Sequence, residues 1–98
     1  MAIDTMTMLL AELNMRNAPD IRKAQLQTLL DVAAERIRSK GIQTLDPLNC
    51  VSDAQLQVDF AAYLYRRRTM AEAVGIPRGL QLDIHDRLVA EKARVTNG

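Results

Sequence analysis

Apolar side chains recur at helical spacing along most of the chain and divide it into four segments. The apolar positions of the first segment, which follow the i, i+3, i+4, i+7 rule of an amphipathic helix, are Met6, Leu9, Leu10 and Leu13. They predict a helix over about residues 5–14, capped by Asp4 or Thr5. Pro19 disfavours helix in the residue before it and therefore separates this helix from the next one.

The second segment predicts the best-defined helix, over residues 20–40. Its apolar stripe consists of Leu26, Leu29, Leu30, Ala33 and Ile37. Pro19 and Asp20 suit the first turn, because proline needs no amide partner there and a carboxylate stabilises the positive end of the helix dipole. Basic side chains crowd the last turn, and Gly41 supplies the stop.

The third segment predicts a helix over residues 53–74 that is apolar on two faces. Ser52 and Gln55 have the spacing of a capping box at its start, and Gly75 ends it. The apolar positions are Leu56, Val58, Phe60, Ala61, Ala62, Tyr63, Leu64, Tyr65, Ala71 and Val74. A helix of this kind lies at the centre of its domain or is shared with a neighbouring chain.

The fourth segment predicts a helix over residues 78–92. Its apolar positions, four residues apart, are Leu80, Ile84 and Leu88. The last residues, 93–98, are expected to form a mobile tail. Together the segments predict an all-α fold, a small bundle of four helices in a single domain over residues 1–98.

The composition supports this class and narrows the environment. Helix-forming residues are plentiful, whereas aromatic residues make up 3% and tryptophan is absent. The 98 residues suffice for one small core and leave little apolar area for an enclosed active site. The single cysteine, Cys50, excludes an internal disulfide and fits a reducing compartment. We recognise neither a signal peptide nor a membrane span and expect a soluble cytoplasmic domain.

The net charge of +1 predicts no general affinity for polyanions, but the charges are unevenly distributed. Residues 1–65 carry six basic and eight acidic side chains, whereas residues 66–98 carry seven basic and four acidic ones. The C-terminal third is therefore the basic part of the chain.

The arginine triplet Arg66, Arg67 and Arg68 is the most informative feature of that part. Successive helical residues point about 100° apart, so the three side chains cannot form one flat patch. Arg67 lies on the same stripe as Phe60 and Tyr63 and interrupts an apolar face. Two explanations are open: a solvated helix end whose arginine stems cover apolar surface, or a charged contact with another chain or with nucleic acid.

Signals of catalysis are weak. The only histidine, His85, and the only thiol, Cys50, lie in different segments. Asp83, His85 and Asp86 are split across the surface of a helix by their spacing. A metal site needs further ligands nearby, and we find neither a phosphate-binding glycine loop nor a nucleophile turn. The sequence predicts a protein that is not an enzyme and uses no metal or cofactor.

Residues 70–84 give partial support for a helix-turn-helix. The positions with the required spacing are Ala71, Gly75, Ile76 and Ile84. Gln81, however, occupies a position where an apolar residue normally packs. A small DNA-binding regulator that uses residues 70–88 is therefore an alternative, and a helical interaction module of the toxin–antitoxin kind is a third.

The string AAYLYRRR (61–68), followed by IPRGLQLDIHDRL (76–88), resembles the small all-helical head–tail connector proteins of tailed bacteriophages, also called adaptor or head-completion proteins. The upstream arrangement is similar too: an early short helix, a long helix that ends in a basic turn, and a linker with Asp46-Pro47. The likeness covers about residues 5–90, of which 61–88 are motif-like.

This resemblance implies a structural role at the head–tail interface of a virion, with assembly in the host cytoplasm. Connector subunits form a ring, usually a dodecamer, that docks on the portal protein and presents a surface to the next neck or tail-completion protein. DNA passes through the ring without sequence-specific binding, and no membrane or cofactor takes part. An extended C-terminal segment tends to grip the portal, and residues 89–98 are placed to do so.

The candidate interface residues are Tyr65, Arg66, Arg67, Arg68, Arg78, Arg87, Arg94 and Val95. In a head-to-tail ring we expect the arginine triplet to meet acidic residues of a neighbouring subunit, namely Asp20, Asp31 and Glu35. We favour protein contacts over DNA contacts, because arginine–phosphate contacts repeated around a ring would hold DNA that has to slide out.

Overall fold

Four helices make up the computed structural model, which describes residues 3–15, 17–69 and 76–97. They are α1 (Thr5–Glu12), α2 (Asp20–Ser39), α3 (Val51–Thr69) and α4 (Arg78–Asn97). No strand occurs within those three ranges. The all-α, four-helix prediction is confirmed.

The central helix is α3, which packs against each of the other three helices. Its two apolar faces therefore belong to one core, as expected for a helix that lies at the centre of its domain. Phe60 is buried there, and its ring meets that of Tyr63 edge to face with centroids 6.0 Å apart. Leu80 and Ile84 are the buried positions through which α4 joins the core. Every position of the predicted α2 stripe is also buried: Leu26, Leu29, Leu30, Ala33 and Ile37.

Local chemistry sets the ends of α1. Asp4 caps the helix: Oδ1 accepts from the Thr7 amide at 3.2 Å, and Oδ2 accepts from the Thr7 hydroxyl at 2.7 Å. The helix ends at Glu12, two residues before the predicted boundary, and Asn14 then takes left-handed backbone with φ 59°. Pro19 is the residue that precedes α2, not a residue of its first turn.

The capping box predicted at Ser52 and Gln55 is wrong. The amide of Ala54 donates to the carbonyl of Cys50 at 2.9 Å, so α3 begins at Val51 and Ser52 lies inside it. Gln55 Nε2 donates forward along the helix to Asp59 Oδ1 at 2.7 Å instead of reaching back. The described part of α3 ends at Thr69, and the predicted end at residue 74 lies outside the described residues.

The turn after α2 packs directly beneath α4. Gly41 adopts φ +111°, a conformation that favours glycine, which confirms the predicted stop. A Cβ at this position would come within 3.1 Å of Leu88 Cδ1 on α4. Ile42 and Leu45, which follow, are both buried in the core. The connection between α2 and α3 is therefore part of the surface on which α4 rests.

The last helix extends further than expected. The backbone of α4 is helical to Asn97, five residues beyond the predicted end at 92. The extended C-terminal segment that the resemblance implied is thus helical through residue 97. Its mobility stays a prediction.

The four helices form a flat body, 45 × 37 × 18 Å along its principal axes. The shortest dimension accommodates about two layers of helices, whose axes pack roughly 8–10 Å apart. The accessible surface is 6543 Å², compared with roughly 5,600 Å² expected for a folded monomer of this mass. Among the described residues, the large apolar side chains that remain exposed are Ile21, Leu48, Val51, Leu82 and Val89. None of the helices, as far as they are described, is long and apolar enough to cross a membrane.

Candidate functional site

The arginine triplet lies at the end of α3, where its members have different surroundings. Arg66 Nη2 is 3.5 Å from Glu12 Oε1 at the end of α1, and the same nitrogen donates to the Glu12 carbonyl at 3.5 Å. The side chains of Arg66 and Glu12 are 50% and 41% exposed. Because an ion pair this exposed contributes little to stability, Arg66 can exchange Glu12 for an acidic group of a partner at small cost.

Tyr65 links α3 to the start of α2. Its hydroxyl accepts a hydrogen bond from Arg22 Nη1 at 3.2 Å, and Arg22 Cζ lies 5.9 Å from the centroid of its ring. This is a cation–π contact between neighbouring helices. The half-buried Tyr65 therefore makes contacts within the chain, and its predicted interface role stays a prediction.

Arg67 is exposed and forms no ion pair with the residues that the structure describes. Phe60 and Tyr63, on the same stripe, are buried, so the stripe leaves the core between Tyr63 and Arg67. The guanidinium reaches solvent past the edge of the core. Arg68 follows on helical backbone, and its side chain lies outside the described part of the chain.

Arg67 also lines two neighbouring depressions. The first, which we call the α3–α4 cleft, has a volume of about 370 Å³ and lies between the end of α1, α3 and the start of α4. Its lining residues are Glu12, Asp59, Tyr63, Arg66, Arg67, Pro77, Gly79, Leu80 and Asp83. The lining thus combines carboxylates and guanidinium groups with an apolar floor.

The carboxylates of the α3–α4 cleft influence one another. Burial raises the pKa of Asp59 above its usual value, and the negative charges of Glu12 and Asp83 raise it further. The hydrogen bond from Gln55 and the positive charge of Arg66 act in the opposite direction. Folding therefore favours the neutral form of Asp59.

The second depression, the α2–α3 groove, has a volume of about 380 Å³. Its lining residues are Leu29, Val32, Arg36, Leu64 and Arg67. The two leucines are buried and the valine is half-buried, whereas both arginines are exposed. Arg36, like Arg67, has no ion-pair partner among the described residues. The groove thus presents an apolar floor between two guanidinium groups that no carboxylate of the described chain neutralises.

Arg87, another predicted interface residue, lies in a polar network inside the chain. Its Nε donates to Asp53 Oδ1 at 2.8 Å, and its Nη2 donates to the Thr44 hydroxyl at 2.9 Å. Asp53 Oδ2 accepts from the amide of Asp46 at 2.9 Å. The hydrogen bond to Asp53 is the main cause that raises the pKa of Arg87 above its usual value. The interface role predicted for Arg87 stays a prediction, with its guanidinium already engaged within the chain.

Glu91 completes this network, one helical turn further along α4. Its Oε1 accepts from the Thr44 amide at 2.8 Å and from the Thr44 hydroxyl at 2.7 Å, and it lies 3.7 Å from Arg87 Nη1. Glu91 is 3% exposed and Asp53 is 4% exposed. The network fastens the middle of α4 both to the turn after α2 and to the first turn of α3.

Almost nothing in the amino-acid sequence indicates this network. Glu91 follows Arg87 at the i, i+4 spacing of a helical ion pair, which is the one signal that was available. Asp53 was interpreted only as part of a helix start, and nothing in the sequence connects Thr44 to residues more than forty positions away. The network depends on tertiary packing of α4 against the turn.

The remaining predicted interface residues lie on α4, far from one another. Arg78 is its first residue and is exposed. Arg94 and Val95 follow some sixteen residues later, about 24 Å along a helix that rises 1.5 Å per residue. Their side chains lie outside the part that the structure describes. The predicted residues of α4 are thus spread over most of the length of the helix.

The candidate catalytic residues are not assembled into a site. His85 is exposed on α4, and Cys50 is half-buried just before α3. The hydrogen bond with the Ser52 hydroxyl, 3.5 Å away, is the main cause that lowers the pKa of Cys50. Within residues 3–15, 17–69 and 76–97, no three His, Cys, Asp or Glu side chains are grouped to hold a metal ion.

The helix-turn-helix alternative is described only in part. Ala71 and Gly75 lie outside the described residues, and Ile84 is buried as that alternative required. Gln81 is exposed, and its Nε2 donates back to the Ile76 carbonyl at 2.9 Å. The exposed surface of α4 carries Asp83 and Asp86 together with Arg78 and Lys92, so its charges are mixed.

Comparison of the chain with models of known protein families, with curated proteins and with solved structures finds no match.

Proposed function

We propose that this chain is a structural subunit of a tailed-bacteriophage head–tail connector. In this proposal it acts without catalysis or cofactor: copies form a ring that docks on the portal protein, extends the DNA channel and receives the next neck or tail-completion protein. The likeness of residues 61–68 and 76–88 to connector proteins supports this role. The four-helix, all-α architecture agrees with it.

The observation that carries the proposal is the incomplete coverage of α4. This 20-residue helix packs mainly on α3, and its outward side keeps Leu82 52% exposed and Val89 53% exposed. The flat body has an accessible surface of 6543 Å², more than the roughly 5,600 Å² that the scaling gives for a compact monomer of this mass. A subunit that completes its packing against other copies has these properties.

The same helix supplies a means of gripping the portal. The backbone of α4 is helical through Asn97, so the C-terminal segment presents a helix to its partner and not an extended strand. A preformed helix loses less conformational entropy on docking than a chain that has to fold first. In this proposal residues 89–97 reach the portal, while the network around Arg87 holds the middle of the helix to its own subunit.

The arrangement of charge favours protein contacts over DNA contacts. On the exposed side of α4, Asp83 and Asp86 offset Arg78 and Lys92, so the helix has no uniformly basic face for a phosphate backbone. Arg67 and Arg36 border an apolar groove, where a protein segment with both acidic and apolar side chains fits best.

The test is the mass and shape of the purified chain, alone and with the portal protein of the same phage. A connector forms closed rings, seen by mass photometry and negative-stain microscopy, on its own or on the portal. A dimer that binds short duplex DNA at low salt would instead identify a regulator. A discrete complex with one small partner would identify an interaction module, and either of these results overturns the proposal.

A further inference from the structure

We propose that the outward face of α4 in one copy of this chain docks in the α2–α3 groove of another copy. The inference rests on the proposed function, since it names the contact that repeats around the ring. The contact joins two surfaces that no other residue of the described chain covers. They are the groove bordered by Arg36 and Arg67 and the exposed side of α4.

The face of α4 that points away from α3 has apolar side chains and charges of both signs: Arg78 lies one turn before Leu82, and Asp86 lies one turn after it. Leu82, Asp86 and Val89 are spaced by four and three residues, so they lie on one side of the helix. All three are exposed, and Asp83 borders them. A helix with this face offers two apolar side chains about 10 Å apart, with a carboxylate between them.

The α2–α3 groove is complementary to that face. Its floor, formed by Leu29, Val32 and Leu64, accepts apolar side chains, and its two guanidinium groups accept carboxylates. Neither Arg36 nor Arg67 forms an ion pair with the described chain, so a docked carboxylate displaces no internal partner. An apolar contact flanked by opposite charges gives both affinity and a defined register.

The acids of α2 are a poorer match for the arginines than those of α4. Asp31 accepts a hydrogen bond from Gln27 at 3.0 Å, so a contact with arginine has to compete with it. Ile21 is the only large apolar side chain strongly exposed on α2, whereas α4 presents two on the face that carries its acids. We therefore assign α4, in place of the α2 acids expected from the sequence, as the partner of Arg67.

The contact joins two different surfaces of the chain, so it can repeat head to tail. The inward side of α4 holds Leu80 and Ile84 in its own core, so its outward face points away from its own subunit. The α2–α3 groove lies on a different surface, and each copy then has one donor face and one acceptor groove. Such a heterologous contact builds a ring when its rotation closes.

Cross-linking tests the contact directly, even where it is weak. Val32→Cys in one chain and Val89→Cys in another are mixed after Cys50→Ser has removed the native thiol from both. We expect a mixed disulfide that forms several times faster than with Val51→Cys, a more exposed position outside the groove, in place of Val32→Cys. Equal rates for the two pairs overturn the inference.

Charge exchange supplies an independent test. Arg67→Glu and Asp86→Arg should each weaken self-association roughly tenfold or more, because each places like charges opposite one another. An equimolar mixture of the two variants restores assembly, since each interface then joins opposite charges. Lys23→Glu, an exposed position on α2 away from the groove, changes the net charge equally and should leave assembly intact. Circular dichroism confirms that every variant is folded.

The outcomes separate this inference from the proposed function. Rings that tolerate Arg67→Glu as well as Lys23→Glu overturn the docking contact and leave the connector role standing. A dimer that obeys the charge exchange supports the contact and overturns the ring. Both the docking contact and the connector role are overturned if the wild-type chain neither associates at high concentration nor forms a ring on the portal, and the cysteine variants do not cross-link.

Discussion

The guanidinium of Arg87 meets the carboxylate of Asp53 at two points, Nε to Oδ1 at 2.8 Å and Nη2 to Oδ2 at 3.4 Å. This contact joins the middle of α4 to the first turn of α3. Asp53 is 4% exposed, so its charge depends on Arg87 and on the amide of Asp46 for compensation. The pair is a structural link within the subunit, unlike the exposed arginines at the end of α3.

Arg87→Gln should therefore lower the free energy of unfolding by about 3 kcal/mol, because it removes the guanidinium that pairs with the buried Asp53 carboxylate at 2.8 Å. Chemical denaturation monitored by circular dichroism measures the change. Arg78→Gln, at the exposed first residue of the same helix, is the matched control and should change stability by less than about 0.5 kcal/mol. A loss no larger for Arg87→Gln than for the control would show that the pair contributes nothing.

Replacement by alanine should have opposite effects on stability at Gly79 and at Gly41. Gly79→Ala should stabilise the protein by about 0.5 kcal/mol, because it lies within α4 and a Cβ there would have no atom within 4 Å. Gly41→Ala should destabilise it by about 1 to 2 kcal/mol, because φ is +111° and the Cβ would crowd Leu88. Thermal unfolding of both variants checks the pair, and a shift of Tm in the same direction for both would contradict it.

Gln57 is a buried amide with only half of its hydrogen-bonding capacity used. Its Nε2 donates to the Leu30 carbonyl at 2.8 Å, whereas its Oε1 is buried without a hydrogen-bond partner. Gln57→Leu removes this cost, and the Leu30 carbonyl keeps its place in the hydrogen bonding of α2. We expect stabilisation by up to about 1 kcal/mol in denaturant titrations. Gln57→Ala, which leaves a cavity, should destabilise the protein, and a loss with leucine as large as with alanine would disprove this interpretation.

Replacement of Asp59 should change the stability of the protein in a way that depends on pH. Its folded pKa is raised above the ordinary value of 3.8, chiefly by burial, so ionisation at neutral pH opposes folding. Asp59→Asn should stabilise the protein near pH 7 by up to about 1 kcal/mol, and the gain should vanish below pH 3.8, where both states are protonated. Asparagine still accepts the hydrogen bond from Gln55, so packing is kept.

Asp4 provides the contrasting control for that measurement. The hydrogen bond from the Thr7 hydroxyl is the main cause that lowers its pKa, so its stabilising effect is present above pH 3.8 and is lost as the pH falls through the folded pKa. Asp4→Asn should therefore destabilise the protein at neutral pH and have less effect in acid. Unfolding curves recorded from pH 3 to pH 8 distinguish the two aspartates, and parallel profiles would contradict both assignments.

The helices were predictable because their signals are local. The apolar stripe of α2, the cap at Asp4 and the stop at Gly41 each depend on a few neighbouring residues, and the structure confirms all three. The capping box at Ser52 failed because α3 begins one residue earlier, at Val51, and Asp53 of the same string makes a tertiary contact with Arg87. A local sequence pattern does not show contacts with residues of another helix.

The candidate site was less predictable for the same reason. The exposure of Arg67 depends on where the core ends above Tyr63, which a stripe of positions does not reveal. The α2–α3 groove combines Arg36 with Arg67, two residues that helix packing brings together and that sequence spacing leaves unrelated. The sequence did indicate that the arginines at the end of α3 deserved attention, but not which neighbours they have.

The attachment of α4 along one side has a mechanical consequence. A pull on the C-terminal end of this helix loads the Thr44–Glu91 hydrogen bonds first, then the Arg87–Asp53 contact, and only afterwards the apolar anchors Ile84 and Leu80. Contacts that are loaded one after another break at a lower force than contacts that are loaded together. Traction on the last helix therefore breaks its described contacts in order, from the C-terminal end toward the start of α4.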